Sequence, residues 1–363
     1  MERHASARRR SAGARGGRRD RSAHRDVATG QARRSQGAWP LFPHRPLRAS
    51  EGAPRPDRTR APMSGPVTND LVHPVPRTEF PKARALEFDF PGLEIGIAEY
   101  EEGPTGCTVF SFGRRASVSI DVRGGSPDVS AGHREVIEVV CFAGGSLYGL
   151  EASAGAAAEF LAKRGYSTKW TDIALVSGAI LFDFGLRPNA VYPDKELGRA
   201  AVRAMRPGVF PMGARGAGRS ATASHGAGAE LAGQGGAYRG SGPTKILAFA
   251  VVNAYGCIVD RTGKIVRGKP AGPVAGRVPE SANTTLSLVV TNQKLDHLQL
   301  RSIGRQVHTS MARGIQPFHA RWDGDVNYMV STQEVANPDL DEVTLGELAS
   351  DAMWDAILAS YDT

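Results

Sequence analysis

Only three cysteines occur in the 363 residues: Cys107, Cys141 and Cys257. They lie far apart in apolar surroundings, with no CxxC or Cys/His spacing to suggest a metal. Reduced, buried thiols in a cytosolic chain are expected. The nine His residues form no HxxH or HExxH set, which argues against a metallohydrolase. No Ser stands in a GxSxG elbow. No run approaches 18 apolar residues free of charge, so no membrane-spanning helix is expected. The first 62 residues contain no Lys and no apolar h-region, which excludes a secretory signal.

What those 62 residues do hold is 16 Arg against 5 acidic groups, a balance of +11. Of the 45 basic and 37 acidic groups in the whole chain, the other 301 residues keep 29 and 32, a balance of −3. The body is therefore mildly acidic, and the net +8 comes from the leader. Low apolar content predicts a disordered Arg-rich extension over 1–62. Three readings compete for it: a nucleic-acid arm, a targeting peptide, or a start codon placed too far upstream. Arg without Lys, mixed with Ala, Gly and Pro, resembles translated GC-rich DNA, and Met63 in "APMSGPVTNDLVHP" is a sensible start. Nothing later in the chain supports nucleic-acid binding.

Forty-one per cent apolar content and 43 Gly suit a globular protein with many tight turns. Strands are predicted at 93–100, 107–113 and 116–125. "VIEVVCFAGGS" reads as a strand running into a Gly turn, followed by an Ala-rich helix closed by Gly165. Residues 172–185 predict a strand pair and 194–205 a short helix. "TKILAFAVVNAYGCIVDRTGKIVRG" predicts two strands joined at "NAYG", with a second turn at "DRTG". In the helix after residue 295, Leu300, Ile303, Val307 and Met311 share one face. "DVNYMVSTQEV" reads as a strand. A last helix is expected to start from a Thr344/Glu347 capping box. Hairpin-like strands with a few long helices predict an α+β fold: mainly antiparallel sheets covered by helices, with no βαβ repeat.

The chemistry-bearing signals are each weak alone. "GARGAGRSA" (213–221) lacks the Gly-Lys-Ser/Thr ending of a phosphate loop, which leaves close backbone packing as the simpler reading. "RWDGDV" is too short for a calcium loop, yet Asp323 and Asp325 entering a strand can orient a hydroxyl or an ammonium. Asn253 in "VNAYG" ends an apolar strand, where its amide is either a turn residue or an oxyanion donor. "ESANTTLSLVVTN" (280–292) sets Asn283-Thr284-Thr285 before an alternating strand. That triplet has three readings: a polar turn, a glycosylation sequon, or a nucleophile released by a cut before Thr284.

The order of these blocks is more specific. "VRGGSPD", "CFAGGSLYGLEASAG", "AILFDFG", "GARGAGRSA", "VVNAYG", "NTTLSLVVTN", "MARGIQPFHARWDGD" and "YMVST" follow one another as in the L-aminopeptidase/D-esterase family. That family includes β-peptidyl aminopeptidases and nylon-oligomer hydrolases, and the resemblance covers about residues 91–332. It implies an N-terminal-nucleophile hydrolase with a layered αββα architecture, made as a precursor that cuts itself. Thr284 matches the nucleophile, and the cut falls after Asn283. This divides the body into an α-chain, 63–283, and a β-chain, 284–363. The cut would expose an α-amine of reference pKa about 7.7–8.0, able to take the hydroxyl proton. By the same resemblance Asn253 is an oxyanion donor and Asp323 and Asp325 orient the nucleophile. Gly144, Gly145, Ser146, Phe182, Gly216 and Gly218 fall on its pocket blocks. The implied substrate is a small peptide or amide. The implied assembly is a homo-oligomer, tetrameric or larger, in the cytoplasm, with no cofactor, metal, nucleic acid or membrane.

Two positions depart from the pattern. His225 aligns where nylon-oligomer hydrolases place a Lys, although Lys245 is near in sequence. Phe182 stands where they carry an aromatic hydroxyl. A protonated His225 can replace the Lys charge, whereas Phe182 cannot donate. Two alternatives stay open: an N-acyltransferase like the glutamate/ornithine acetyltransferases, which also use a Thr, and a non-catalytic member kept for binding.

Overall fold

The computed structural model describes residues 66–127, 129–130, 135–270 and 283–362. The Arg-rich extension and most of the 269–282 stretch lie outside them. Along the chain run β1 (Glu94–Tyr100), β2 (Thr105–Val122), β3 (Val136–Ala143), α1 (Leu150–Lys163), β4 (Val176–Ile180) and α2 (Lys195–Arg203). Then come β5 (Gly233–Ser241), β6 (Thr244–Asn253), β7 (Cys257–Val259), β8 (Ile265–Arg267) and β9 (Thr284–Gln293). α3 (His297–Ser310), β10 (Val326–Val335) and α4 (Glu342–Leu358) complete the series.

One long strand shapes the molecule. The segments predicted as separate strands at 107–113 and 116–125 are a single 18-residue strand, β2. Its first half pairs with β1 and β3, and its second half pairs with β10. Between them the register shifts at Ser111/Ala116, and Gly113, Arg114 and Arg115 are exposed. A bulge bends a strand and carries it from one layer to another. The nine-stranded sheet thus divides into β5-β6-β9-β10 with the end of β2, and β1-β2-β3-β4 with the short strand Arg206–Pro207 beside β1. Pairing is antiparallel except for β9/β10 and β3/β4.

The two halves enclose an apolar layer. Ile95, Phe110 and Phe142 come from one half, and Phe249, Leu286, Leu288 and Tyr328 from the other. Phe110 meets Phe249 at 5.0 Å and Phe142 meets Tyr328 at 5.8 Å between ring centroids. Outside this sandwich, α1 and α2 cover Val109, Val139 and Cys141. On the other side, α3 and α4 cover Ala248, Val289 and Met329. The order is helix, sheet, sheet, helix, the α+β layering expected.

Local signals explain the helix starts. Asp194 caps α2 by accepting from the Leu197 amide at 3.0 Å. Asp296 and Gln299 form a reciprocal capping box on α3, and Leu300, Ile303, Val307 and Met311 are buried as the periodicity required. α4 corrects the sequence reading. Its cap is Asp341, which accepts from the Thr344 amide at 2.7 Å, and not a Thr344/Glu347 box. Two further expectations fail. Residues 172–185 form one strand, not two, because Asp183 leaves the sheet to meet buried Arg187 at 2.6 Å. "NAYG" does not join a hairpin either. β7 leaves the main sheet and pairs with β8 and with Ile315–Gln316.

Candidate active site

β9 is buried along its whole length, because both its faces are covered. Leu286, Leu288 and Val290 face the layer between the sheets, and Val289 faces the helices. Period-two alternation therefore turns Thr284 toward the inter-sheet side and Thr285 toward the helix side. Asn253 is the cross-strand partner of Thr284, at the end of β6. Two residues that the sequence could only suggest as neighbours are thus set side by side at one end of the sandwich.

The "DGD" turn packs against this end from the other flank. Asn283 and Asp323 form a parallel bridge, with the Asn283 amide donating to the Trp322 carbonyl at 3.1 Å. The Gly324 amide donates to the Asn283 carbonyl at 2.9 Å, and the Thr284 hydroxyl donates to the same oxygen at 2.7 Å. Asp325 Oδ1 accepts from the Thr285 amide at 2.8 Å. Its Oδ2 takes the His319 amide at 3.2 Å and lies 2.9 Å from His319 Nδ1. Asp323 accepts from the amides of Ala320, at 2.9 Å, and Tyr255, at 3.2 Å. Burial, and then the neighbouring Asp325 charge, push the Asp323 carboxyl up to about 7.

The "VRGGSPD" block backs the turn. The Arg123 amide donates to the Asp325 carbonyl at 2.8 Å and the Ser126 amide to the Asp323 carbonyl at 3.0 Å. A Cβ on Gly125 would come within 2.0 Å of the Arg321 carbonyl oxygen, so glycine permits this close approach.

On the Asn253 side, its Oδ1 accepts from the Thr222 amide at 3.0 Å, which fixes the amide orientation. Nδ2 donates to the Phe182 carbonyl at 2.9 Å. An amide nitrogen carries two hydrogens. The second has no partner among the described residues. Phe182 therefore joins the site through its main chain. Gly144, Gly145 and Ser146 sit one residue further out. The Gly145 amide donates to Asp183 Oδ1 at 2.9 Å, and the Ser146 amide to the Leu181 carbonyl at 2.9 Å.

His225 stacks on Tyr255 at 3.8 Å, with Nδ1 3.1 Å from the Tyr255 carbonyl. Since the Tyr255 amide binds Asp323, His225 reaches the carboxylate flank through one residue. Lys245 does not replace it. It lies eight residues from Asn253 along β6, roughly 27 Å of extended strand, and its ammonium pairs with Asp89 at 2.5 Å. Gly216 and Gly218 are buried beneath β1 and β2. The Gly216 amide is taken by Glu99 at 2.7 Å and the Ala217 amide by Thr108 at 3.1 Å. This loop bears on the site through Thr222, a few residues on. Among the described residues no group of three His, Cys, Asp or Glu is placed to hold a metal, and no helix is long and apolar enough to cross a membrane.

Sequence reasoning missed His319, Tyr255, Thr222 and Gly324. His319 stands in the quoted "PFHARWDGD" block, but nothing in its spacing to Asp325 shows that they bond.

Comparison with known proteins gives the family and the fold relatives. The model of Peptidase family S58 matches residues 88–362. The chain belongs to that family. The 6-aminohexanoate-oligomer endohydrolase of Agromyces sp. (strain KY5R) is 40% identical over 334 residues, covering 84% of this chain and 94% of the relative. Among solved structures, a Burkholderia sp. beta-aminopeptidase aligns with a TM-score of 0.60 at 17% identity, covering 78% of this chain and 89% of that one. The L-aminopeptidase D-Ala-esterase/amidase of Ochrobactrum anthropi, described as a variant of the Ntn hydrolase fold, aligns with a TM-score of 0.56 at 16% identity. It covers 76% of this chain and 85% of that one. This S58 chain has the Ntn-hydrolase layering and is a hydrolase of the peptidase/amidase type.

Proposed function

We propose that this S58 protein is an autoprocessed N-terminal-nucleophile hydrolase in which Thr284 is both the residue before which the chain is cut and the nucleophile of the mature enzyme. The observation that carries the reading is the placement of the Thr284 hydroxyl. It is buried, 2.7 Å from the carbonyl oxygen of the preceding residue, beside Asn253 and with Asp325 clamping the next amide. In the uncut chain the Thr284 nitrogen is an amide and cannot act as a base. Once freed it is an amine with a reference pKa of about 7.7–8.0, which takes the hydroxyl proton as the oxygen attacks a substrate carbonyl. The free hydrogen of Asn253 Nδ2 then faces the developing oxyanion. Asp325, oriented by His319, fixes the strand end that carries the new amine.

The substrate we propose is a small aliphatic peptide or amide, cut as an aminopeptidase or amidase would. The named activity of the Agromyces relative, on 6-aminohexanoate oligomers, makes linear aliphatic amides the first compounds to try. We also propose a cytoplasmic homo-oligomer of four or more processed copies, for which light scattering at micromolar concentration is the check.

The deciding experiment is a denaturing gel of the purified protein with N-terminal sequencing. A fragment beginning at Thr284 is expected, with 80 of the 363 residues and about 8.5 of the 38.6 kDa. A full-length chain that hydrolyses amides at normal rates would exclude this mechanism.

A further inference from the structure

The Asn283 carbonyl belongs to the bond that the proposed maturation breaks, and it already has two donors. One is the nucleophile itself. The other, the Gly324 amide, comes from the turn before β10. We propose that the Gly324 N–H is the oxyanion donor of the maturation cut, a role separate from that of Asn253 in substrate turnover. This inference rests on the reading that the chain cuts itself before Thr284.

The chemistry requires such a donor. Thr284 Oγ attacks the Asn283 carbonyl carbon, and the carbonyl oxygen becomes an oxyanion. The C–N bond then breaks, the nitrogen receives the proton lost by the hydroxyl, and an ester joins Asn283 to Thr284 Oγ. Water cleaves that ester, leaving the Asn283 carboxyl group and a free Thr284 amine. The charge develops on the oxygen that Gly324 holds at 2.9 Å, within the range for an oxyanion donor. Asn253 is placed differently. It reaches β9 from the β6 side, and one of its amide hydrogens is bound to Phe182.

Preorganisation is visible around the turn. Asp323 and Asp325 hold four backbone amides between them, those of Ala320, Tyr255, Thr285 and His319. The carbonyls of the same two residues are held by Ser126 and Arg123. The Gly324 amide cannot swing away without breaking several of these bonds. Glycine is required here for space, because φ at Gly324 lies outside the left-handed region. A Cβ would meet the Ser126 carbonyl oxygen at 2.5 Å and the Thr284 hydroxyl at 2.9 Å.

The test is an amide-to-ester exchange in the full-length chain, made by cell-free nonsense suppression. Glycolic acid at position 324 removes only the N–H and adds no bulk. It also weakens the Asp323 carbonyl as an acceptor, so a second chain carries an ester at Ser126, which removes the donor to that carbonyl. The readout is the rate at which the 80-residue fragment appears beside wild type. The 324 ester is expected to slow the cut by about 10²–10³-fold, and the 126 ester by less than tenfold. Equal slowing by both, or wild-type rates in both, would overturn the role of Gly324. A wild-type chain that is never cut removes the self-cleavage reading itself, and this inference with it.

Discussion

The two ends of β9 are built from the same kinds of residue and treat them differently. At the Gln293 end, buried polar groups are paired throughout. The Thr244 hydroxyl donates to Gln293 Oε1 at 2.7 Å, and Gln293 Nε2 donates to the Leu340 carbonyl at 3.0 Å. Asn292 bridges the Lys245 amide and the Pro243 carbonyl, and the Ser331 hydroxyl closes on the Gln293 carbonyl. At the Thr284 end, Asn283 Oδ1, Thr285 Oγ1, His319 Nε2 and His225 Nε2 are buried and have no partner among the described residues. An unpaired buried polar atom costs about 1–3 kcal/mol. One end of the strand spends its polar groups on holding the fold, while the other leaves several of them open around a hydroxyl and a carbonyl.

Breaking the open end should abolish function while leaving the fold. Thr284→Ala is expected to remain a single chain and to lose amide hydrolysis by about 10⁴-fold or more. Thr291→Ala, on the same strand, should cut and turn over normally. Densitometry and a chromogenic amide assay read both. Asp325→Asn comes next. Loss of the carboxylate that holds Thr285 and His319 should slow cutting and turnover by about 10²-fold. If this variant keeps wild-type rates, the acidic pair has no part in the mechanism.

Breaking the closed end should do the reverse. Gln293→Ala leaves the Thr244 hydroxyl hydrogen without its acceptor and the Leu340 carbonyl without its side-chain donor, and should cost about 1–3 kcal/mol in urea unfolding. The amount of fragment and the turnover per folded molecule should not change.

The ends also differ in titration. With its carboxyl raised to about 7, folded Asp323 holds a proton between roughly pH 4 and 7 that the unfolded chain releases. The folded state binds more protons in that window, so this contribution to stability falls as pH rises through it. Thermal melts of uncut Thr284→Ala across pH 4.5–8 should show the decline. Adding Asp323→Asn should flatten it.

The smallest expected effect is that of Thr285→Val. It removes an unpartnered hydroxyl on the helix side of β9 and keeps the shape. Cutting should proceed at the wild-type rate, with stability unchanged or raised by up to about 1 kcal/mol. A slowed cut would add this hydroxyl to the chemistry.

Much of the architecture was legible because it is local. Apolar alternation at 286–290 marked β9, and the stripe Leu300, Ile303, Val307, Met311 marked α3. Other features were not legible, and for one kind of reason. The split reading of β2 failed because a bulge within a continuous strand looks like two strands with a turn. The expected strand pair at 172–185 failed because Asp183 answers to Arg187 and Gly145 rather than to its neighbours in sequence. His319 was overlooked because its bond to Asp325 follows from backbone conformation, with His319 at φ +57°.

Residue order alone carried the family, the layering and the names of the residues to suspect: Thr284, Asn253, Asp323, Asp325 and His225. Period and composition act over a few residues, and block order survives divergence. That Thr284 faces the inter-sheet side, that Asn253 lies across from it, and that the Gly324 amide rests on the Asn283 carbonyl depend on pairings over 31 and 41 positions of chain. Such pairings are fixed only when β9 is enclosed between β6 and β10, because strand register is set by burying both faces at once.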